Sequence, residues 1–170
     1  MHINIEIKAR CADAAAAKAL LLAKKADFKG IDHQIDTYFK VKNGRMKLRE
    51  GQIENSLIHY QRSDQAGPKQ SNVTLYHPKD TLALKSVLTN ALETLVAVDK
   101  FRAIYFIENV KFHVDEVKHL GHFVEIEAID AEGTLGVDYL KQQCTFYMEY
   151  LGIEADSLIE QSYSDLLREE

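Results

Sequence analysis

Polar and apolar residues alternate without a break through Ile3-Asn4-Ile5-Glu6-Ile7-Lys8-Ala9-Arg10-Cys11. A period of two predicts a strand with one dry face and one polar face. Asp13 then caps an Ala/Leu/Lys stretch that reads as a helix to about Phe28, with Gly30 just beyond as its stop. Gln34 to about Val41 is extended and aromatic, and Asn43-Gly44 is a hairpin signal. Arg45-Met46-Lys47-Leu48-Arg49 alternates strictly, and Leu57 to Arg62 is a further strand. Asp64 to Asn72, with Gly67-Pro68, reads as a loop, followed by a short strand at Val73 to His77. Asp80 opens a second helix to about Leu92. Strands follow at Val96 to Glu108, Val110 to Val117 and Phe123 to Ile129, with a turn at Gly121. The tail holds two predicted helices, about Val137 to Leu151 and Ser157 to Arg168. So many consecutive strands predict one antiparallel sheet large enough to close, with helices outside it: an α+β fold built on a closed antiparallel β-barrel.

Residues two apart on a strand share a face. Asn4, Glu6, Lys8 and Arg10 therefore stand together, as do Arg45, Lys47 and Arg49, and likewise Tyr60 and Arg62. Lys100 shares a face with Arg102, Lys111 with His113 and Asp115, and Glu125 with Glu127. The opposite faces are mostly Ile, Leu, Met, Val and Phe. On one strand alone such a polar face simply meets water. On six strands of a closing sheet, with helices covering the apolar faces, the charges point inward and line a wet tunnel. Unpaired charges of both signs in a dry tunnel would be strongly destabilising. A polyanion with divalent cations suits them: Lys and Arg take phosphate oxygens, and carboxylates take Mg²⁺ or Mn²⁺. The chemistry implied is phosphoryl or nucleotidyl transfer on a triphosphate.

Composition narrows the alternatives. The 170 residues suit one domain over 1–170. Twenty-one Lys and Arg against 26 Asp and Glu give a net charge of -5, which argues against a nucleic-acid or anionic-membrane binder. No apolar run is long enough to span a membrane. Charges at Glu6, Lys8 and Arg10 interrupt any signal peptide. Two cysteines, Cys11 and Cys144, make no disulfide framework, so the expected location is the cytoplasm. Neither G-x-G-x-x-G nor G-x-x-x-x-G-K-[ST] occurs. A small-molecule triphosphate is the expected partner, and the oligomeric state is left open, a homodimer included.

The order and spacing of the motifs resemble the CYTH group, the triphosphate tunnel metalloenzymes. The group includes class IV adenylyl cyclases, thiamine triphosphatases and inorganic triphosphatases. Its Glu-x-Glu-x-Lys signature reads Asn4-Ile5-Glu6-Ile7-Lys8 here, so the first acid is missing. The likeness continues through Gln34 to Phe39, Gly44 to Arg49, Lys100-Phe101-Arg102, Asp115 and Gly121 to Glu127, and Ser162 to Leu167 is similar to the class IV cyclase branch. The resemblance implies an eight-stranded antiparallel tunnel, a triphosphate substrate and Mg²⁺ or Mn²⁺. It implies metal ligation by Glu6, Asp115, Glu125 and Glu127, and phosphate binding by Lys8, Arg45, Lys47, Arg49, Arg62, Lys100 and Arg102. Glu6 and Lys8 are the implied catalytic pair.

Arg10 and Lys111 read as rim charges, and His59 and His113 as structural. For Arg45, beside the turn, a solvated surface charge competes evenly with a ligand role. A cyclase needs the ribose 3′-hydroxyl to attack the α-phosphate. A triphosphatase needs water to attack the terminal one. A non-catalytic triphosphate-binding module is the reading that the missing acid at Asn4 favours. A barrel carrying a small apolar ligand is disfavoured by the charged inward faces.

Overall fold

The computed structural model describes residues 2–169. Eight strands close into an antiparallel barrel: β1 (His2–Arg10), β2 (Asp27–Phe39), β3 (Arg45–Glu50), β4 (Ser56–Arg62), β5 (Lys69–Tyr76), β6 (Thr94–Ile107), β7 (Val110–Val117) and β8 (Gly121–Asp130). Their order around the barrel is β1-β5-β4-β3-β2-β6-β7-β8. Closure comes from β1, which pairs with β5 on one side and with β8 on the other. No sheet edge is left open.

The alternation of the sequence decides what lies on each side. Ile5 and Ile7 of β1, Phe112 and Val114 of β7, and Ile126 and Ala128 of β8 face outward. Two helices cover them: α1 (Ala14–Ala23) through Ala17 and Leu21, and α3 (Val137–Tyr150) through Leu140 and Cys144. Cys11 and Ile7 lie under these helices as their dry-face positions predict. The helix between β5 and β6, α2 (Thr81–Ala91), buries none of its residues. The last helix, α4 (Tyr163–Glu169), caps one end of the barrel, with Tyr163 packed against Phe123.

Three element boundaries differ from the sequence reading. The first helix ends at Ala23, not near Phe28. Lys25 takes a left-handed conformation, and Ala26 N–H donates back to Leu21 O. Residues 27–30 then join β2, because pairing with β6 satisfies more backbone than another helical turn would. Gly30 sits at a register shift with φ 121°, a bulge rather than a helix stop. The predicted loop from Asp64 to Asn72 is strand from Lys69 onward, since β1 supplies the partner. The second tail helix begins only at Tyr163. Before it come a 3-10 turn at Ala155–Ser157 and an extended stretch in which Leu158 bridges to Ala9.

Candidate functional site

Inside the barrel lies a cavity of about 470 Å³. Into it come Asn4, Glu6 and Lys8 from β1, Lys47 and Arg49 from β3, Arg62 from β4, Lys100 and Arg102 from β6, and Glu125 and Glu127 from β8. The polar faces inferred from alternation thus converge on one space. Arg10 stays exposed at the surface. Arg45 and Asp115 are the two expected site residues that do not line the cavity. Arg45 instead pairs with Asp165 at 2.7 Å and Asp64 at 3.3 Å, a partly buried ion pair that is neither the ligand role nor a freely solvated surface charge. Asp115 lies behind the wall. Its oxygens accept from Arg102 Nε and Nη2 at 2.7 and 2.6 Å, and from the Tyr163 hydroxyl at 2.8 Å. In this structure it orients Arg102 rather than facing the cavity.

One wall is acidic. Register sets Glu6 directly opposite Glu127, and Lys8 opposite Glu125. Glu127 also accepts from the Asn4 amide, and Glu6 accepts from Arg62. Burial, with Glu6, Glu125 and Glu54 nearby, pushes the Glu127 carboxyl above its usual range. Burial would raise Glu125 too, but Lys8 and Arg102 outweigh it and hold Glu125 well below. Burial lowers the Lys8 ammonium to about 8, with Glu125 only partly offsetting.

The opposite wall is basic and organised by one carboxylate. Asp36 is fully buried and accepts from Arg49 Nε and Nη2, each at 2.8 Å. Lys100 Nζ lies 2.7 Å from its Oδ2, and Lys47 Nζ 3.1 Å. Burial opposes the charged form of Asp36, yet Arg49, Lys100 and Lys47 together hold it well below the usual carboxylate range. Burial and the neighbouring Arg102 hold the Lys100 ammonium well below its ordinary value.

The sequence reading missed several residues. Lys111, read as a rim charge, lines the cavity beside His113. Its alternation with His113 carried that signal. Glu54 enters from the turn between β3 and β4, where no periodicity marks an inward face. Lys69 is buried and caps the carbonyls of Ile159 and Glu160. Tyr163 closes the tunnel end, its ring 4.0 Å from Lys8 Nζ.

The cavity wall changes character along its length. At the end where β1 begins and β5 finishes it is lined by Ile53, Leu75, Ile129 and Ala131, with His2 and His77. Ile53 and Leu75 are half exposed there, so this mouth is open. The other end is sealed by Tyr163, which is buried.

Among the described residues no three His, Cys, Asp or Glu side chains already close around one point. The donors present nonetheless fit a hard divalent cation. They are all oxygens, and Asn4, whose Nδ2 donates to Glu127, leaves its Oδ1 buried without a partner. Burial first, and the neighbouring Glu6, Glu125 and Glu54 after it, raise Glu127, a cost a cation relieves.

The fold is thus a closed barrel with a charged interior and one open mouth. The CYTH domain model matches residues 2–163, and the chain belongs to that family. Solved structures share the fold. The PH1012 protein of Pyrococcus horikoshii OT3 is 21% identical, with TM-score 0.80 over 98% of this chain and 99% of its own. A candidate adenylate cyclase from Vibrio parahaemolyticus is 17% identical, with TM-score 0.76 over 98% of each chain. A candidate adenylyl cyclase from Hippeastrum, with a dominant triphosphatase activity, is 15% identical, with TM-score 0.63 over 99% of this chain and 96% of its own. No curated protein matches the sequence. At these identities the likeness is one of fold. No helix among the described residues is long and apolar enough to cross a membrane.

Proposed function

We propose that this protein is a metal-dependent enzyme acting on an organic triphosphate, of the adenylyl cyclase type, converting ATP to cyclic AMP and pyrophosphate. The observation that carries the reading is the convergence of Lys8, Lys47, Arg49, Arg62, Lys100 and Arg102 with Glu6, Glu125 and Glu127 on one cavity. Six cations on four strands match three linked phosphates, and Arg adds bidentate contacts. The apolar mouth supports an organic group outside the charged interior.

In the cyclase reaction the ribose 3′-oxygen bonds to the α-phosphorus. The bond from that phosphorus to the bridging oxygen breaks, pyrophosphate leaves, and the hydroxyl proton passes to a base. The tunnel's share is positioning and charge. Lys47, Arg49, Lys100 and Arg102 are held in place by Asp36 and Asp115, so their geometry is set before substrate arrives. Burial lowers the Lys8 ammonium to about 8, so it can hold or release a proton at Nζ. Glu6, Glu127 and the Asn4 amide oxygen would hold Mg²⁺ or Mn²⁺, with Glu125 beside them. When bound, the ion neutralises phosphate charge and polarises phosphoryl oxygens.

The test is incubation with ATP, tripolyphosphate or thiamine triphosphate in Mg²⁺ or Mn²⁺, with chromatographic resolution of products. Cyclic AMP and pyrophosphate are expected, and Glu127→Gln should be silent. Orthophosphate instead would replace the cyclase reading by a triphosphatase. Binding without turnover of any of the three would replace the enzyme by a binding module.

A further inference from the structure

Every lysine, arginine and carboxylate lining the cavity stands on a strand except Glu54, which stands on the turn of residues 51–55 between β3 and β4. That turn is built to deliver it. The Asp32 carboxylate, 1% exposed, accepts the backbone N–H of Gln52, Ile53 and Glu54 at 2.8, 3.0 and 2.9 Å. Gly51 makes the close approach possible: a Cβ there would meet Asp32 Oδ2 at 2.4 Å and Glu54 O at 2.7 Å. The Glu54 side chain is then cupped by three donors. Its Oε2 accepts from Arg49 Nη1 at 3.0 Å and Gln34 Nε2 at 3.1 Å, and its Oε1 accepts from Lys111.

A guanidinium, an ammonium and an amide around one anionic oxygen pair make a phosphate seat as readily as a carboxylate seat. The seat lies where the interior meets the apolar mouth, since Ile53 and Asn55 on either side of Glu54 both line it. Building on the triphosphate reading above, we propose that Arg49, Lys111 and Gln34 form the subsite for the phosphate nearest the open mouth. In the free protein Glu54 occupies that subsite as a tethered stand-in, and the incoming phosphate displaces it. Strand-borne Arg49 and Lys111 and the Asp32-held turn stay in place during the exchange, while the Glu54 side chain swings out of the seat. Affinity for a triphosphate therefore contains a competition term that this chain sets for itself.

The experiment is calorimetric titration of inorganic tripolyphosphate into wild type and Glu54→Gln, in chelator and without divalent metal. A neutral amide competes less for Arg49 and Lys111, so Glu54→Gln should bind about tenfold tighter. Adding Lys111→Met to Glu54→Gln should take back about that gain. A parallel Mn²⁺ titration without phosphate should give the same affinity in wild type and Glu54→Gln. Glu54→Gln binding tripolyphosphate no tighter than wild type overturns the stand-in. Loss of Mn²⁺ affinity in Glu54→Gln makes Glu54 a metal ligand and overturns it as well. If Glu54→Gln fails to fold, Glu54→Asp, which retracts the carboxylate by one methylene, should tighten binding in the same direction, and no tightening overturns the proposal. Absence of any tripolyphosphate binding to wild type, in chelator and in Mg²⁺ alike, overturns the triphosphate reading itself. Binding indifferent to position 54 overturns only the subsite.

Discussion

Asp36→Asn tests how the basic wall is held together. The substitution keeps shape and removes one charge from a fully buried carboxylate that contacts Arg49 twice, Lys100 and Lys47, all within 3.1 Å. Breaking a buried ion pair by removing one partner costs about 3–5 kcal/mol. Two features favour the lower end. Arg49 keeps Glu54 at 3.0 Å, and Lys100 is already held well below its ordinary value, so it can shed its proton. We expect a loss of about 3 kcal/mol, a large part of the roughly 5–15 kcal/mol of a folded domain, read as a urea midpoint lower by about 1–2 M. The pH dependence follows from the sign of the shift. The folded-state value of Asp36 is depressed, so its contribution is present above the unfolded value near 3.8 and is lost as pH falls through the folded one. The deficit of Asp36→Asn should be constant from pH 8 to about 5 and shrink below about 4. Tripolyphosphate supplies the missing negative charge and should stabilise the variant more than wild type. Urea melts from pH 3 to 8, with and without tripolyphosphate, read all of this. A variant as stable as wild type at pH 7, or a deficit unchanged at pH 3, would refute the clamp.

Three further outcomes are expected. Lys8 titrates near pH 8, so its charge and its share of tripolyphosphate affinity should fall as pH rises through that value. Lys8→Arg should flatten the decline, and identical pH profiles would remove Lys8 from the phosphate site. Asn4→Glu restores a carboxylate beside Glu127 and should raise Mn²⁺ affinity about tenfold by calorimetry, since charge count tunes hard-cation binding. Unchanged affinity and stoichiometry, with and without tripolyphosphate, would place position 4 outside the metal site. Tyr163→Phe deletes the hydroxyl that Asp115 accepts at 2.8 Å, and should cost about 1–2 kcal/mol in thermal or urea unfolding. Because the ring over Lys8 remains, tripolyphosphate affinity should stay within about twofold. A large affinity loss would give the hydroxyl a direct role.

Legibility in the sequence tracked periodicity. β1, β7 and β8 alternate strictly, and which residues share the inward face is readable because a period of two leaves no choice of face, although depth along the tunnel is not: Lys111 reads as a rim charge and lines the cavity. The closed barrel followed from the number of such faces. Periodicity says nothing about turns, and there the reading failed. Glu54 reaches the tunnel only because Asp32, 22 positions earlier, gathers three backbone N–H groups of its turn. Lys69 looked like loop because Gly67-Pro68 precedes it, yet β1 draws it into the sheet. Asp115 shares the right face and still does not line the cavity. Its fate depends on Tyr163, which arrives from the far end of the chain. Arg45 likewise misses the cavity because it pairs with Asp165 of α4. Faces are local, whereas partners delivered by the C-terminal helix are not.

The central claim is that the tunnel is a seat for three linked phosphates. Calorimetric titration of wild type with tripolyphosphate and with orthophosphate, in Mg²⁺, tests it most directly. The charged wall spans several strands, so tripolyphosphate should bind at least about a hundredfold tighter than orthophosphate. Lys100→Met should lose about tenfold of the tripolyphosphate affinity. Equal affinities for the two anions, or no binding of tripolyphosphate to the folded protein, would contradict the account.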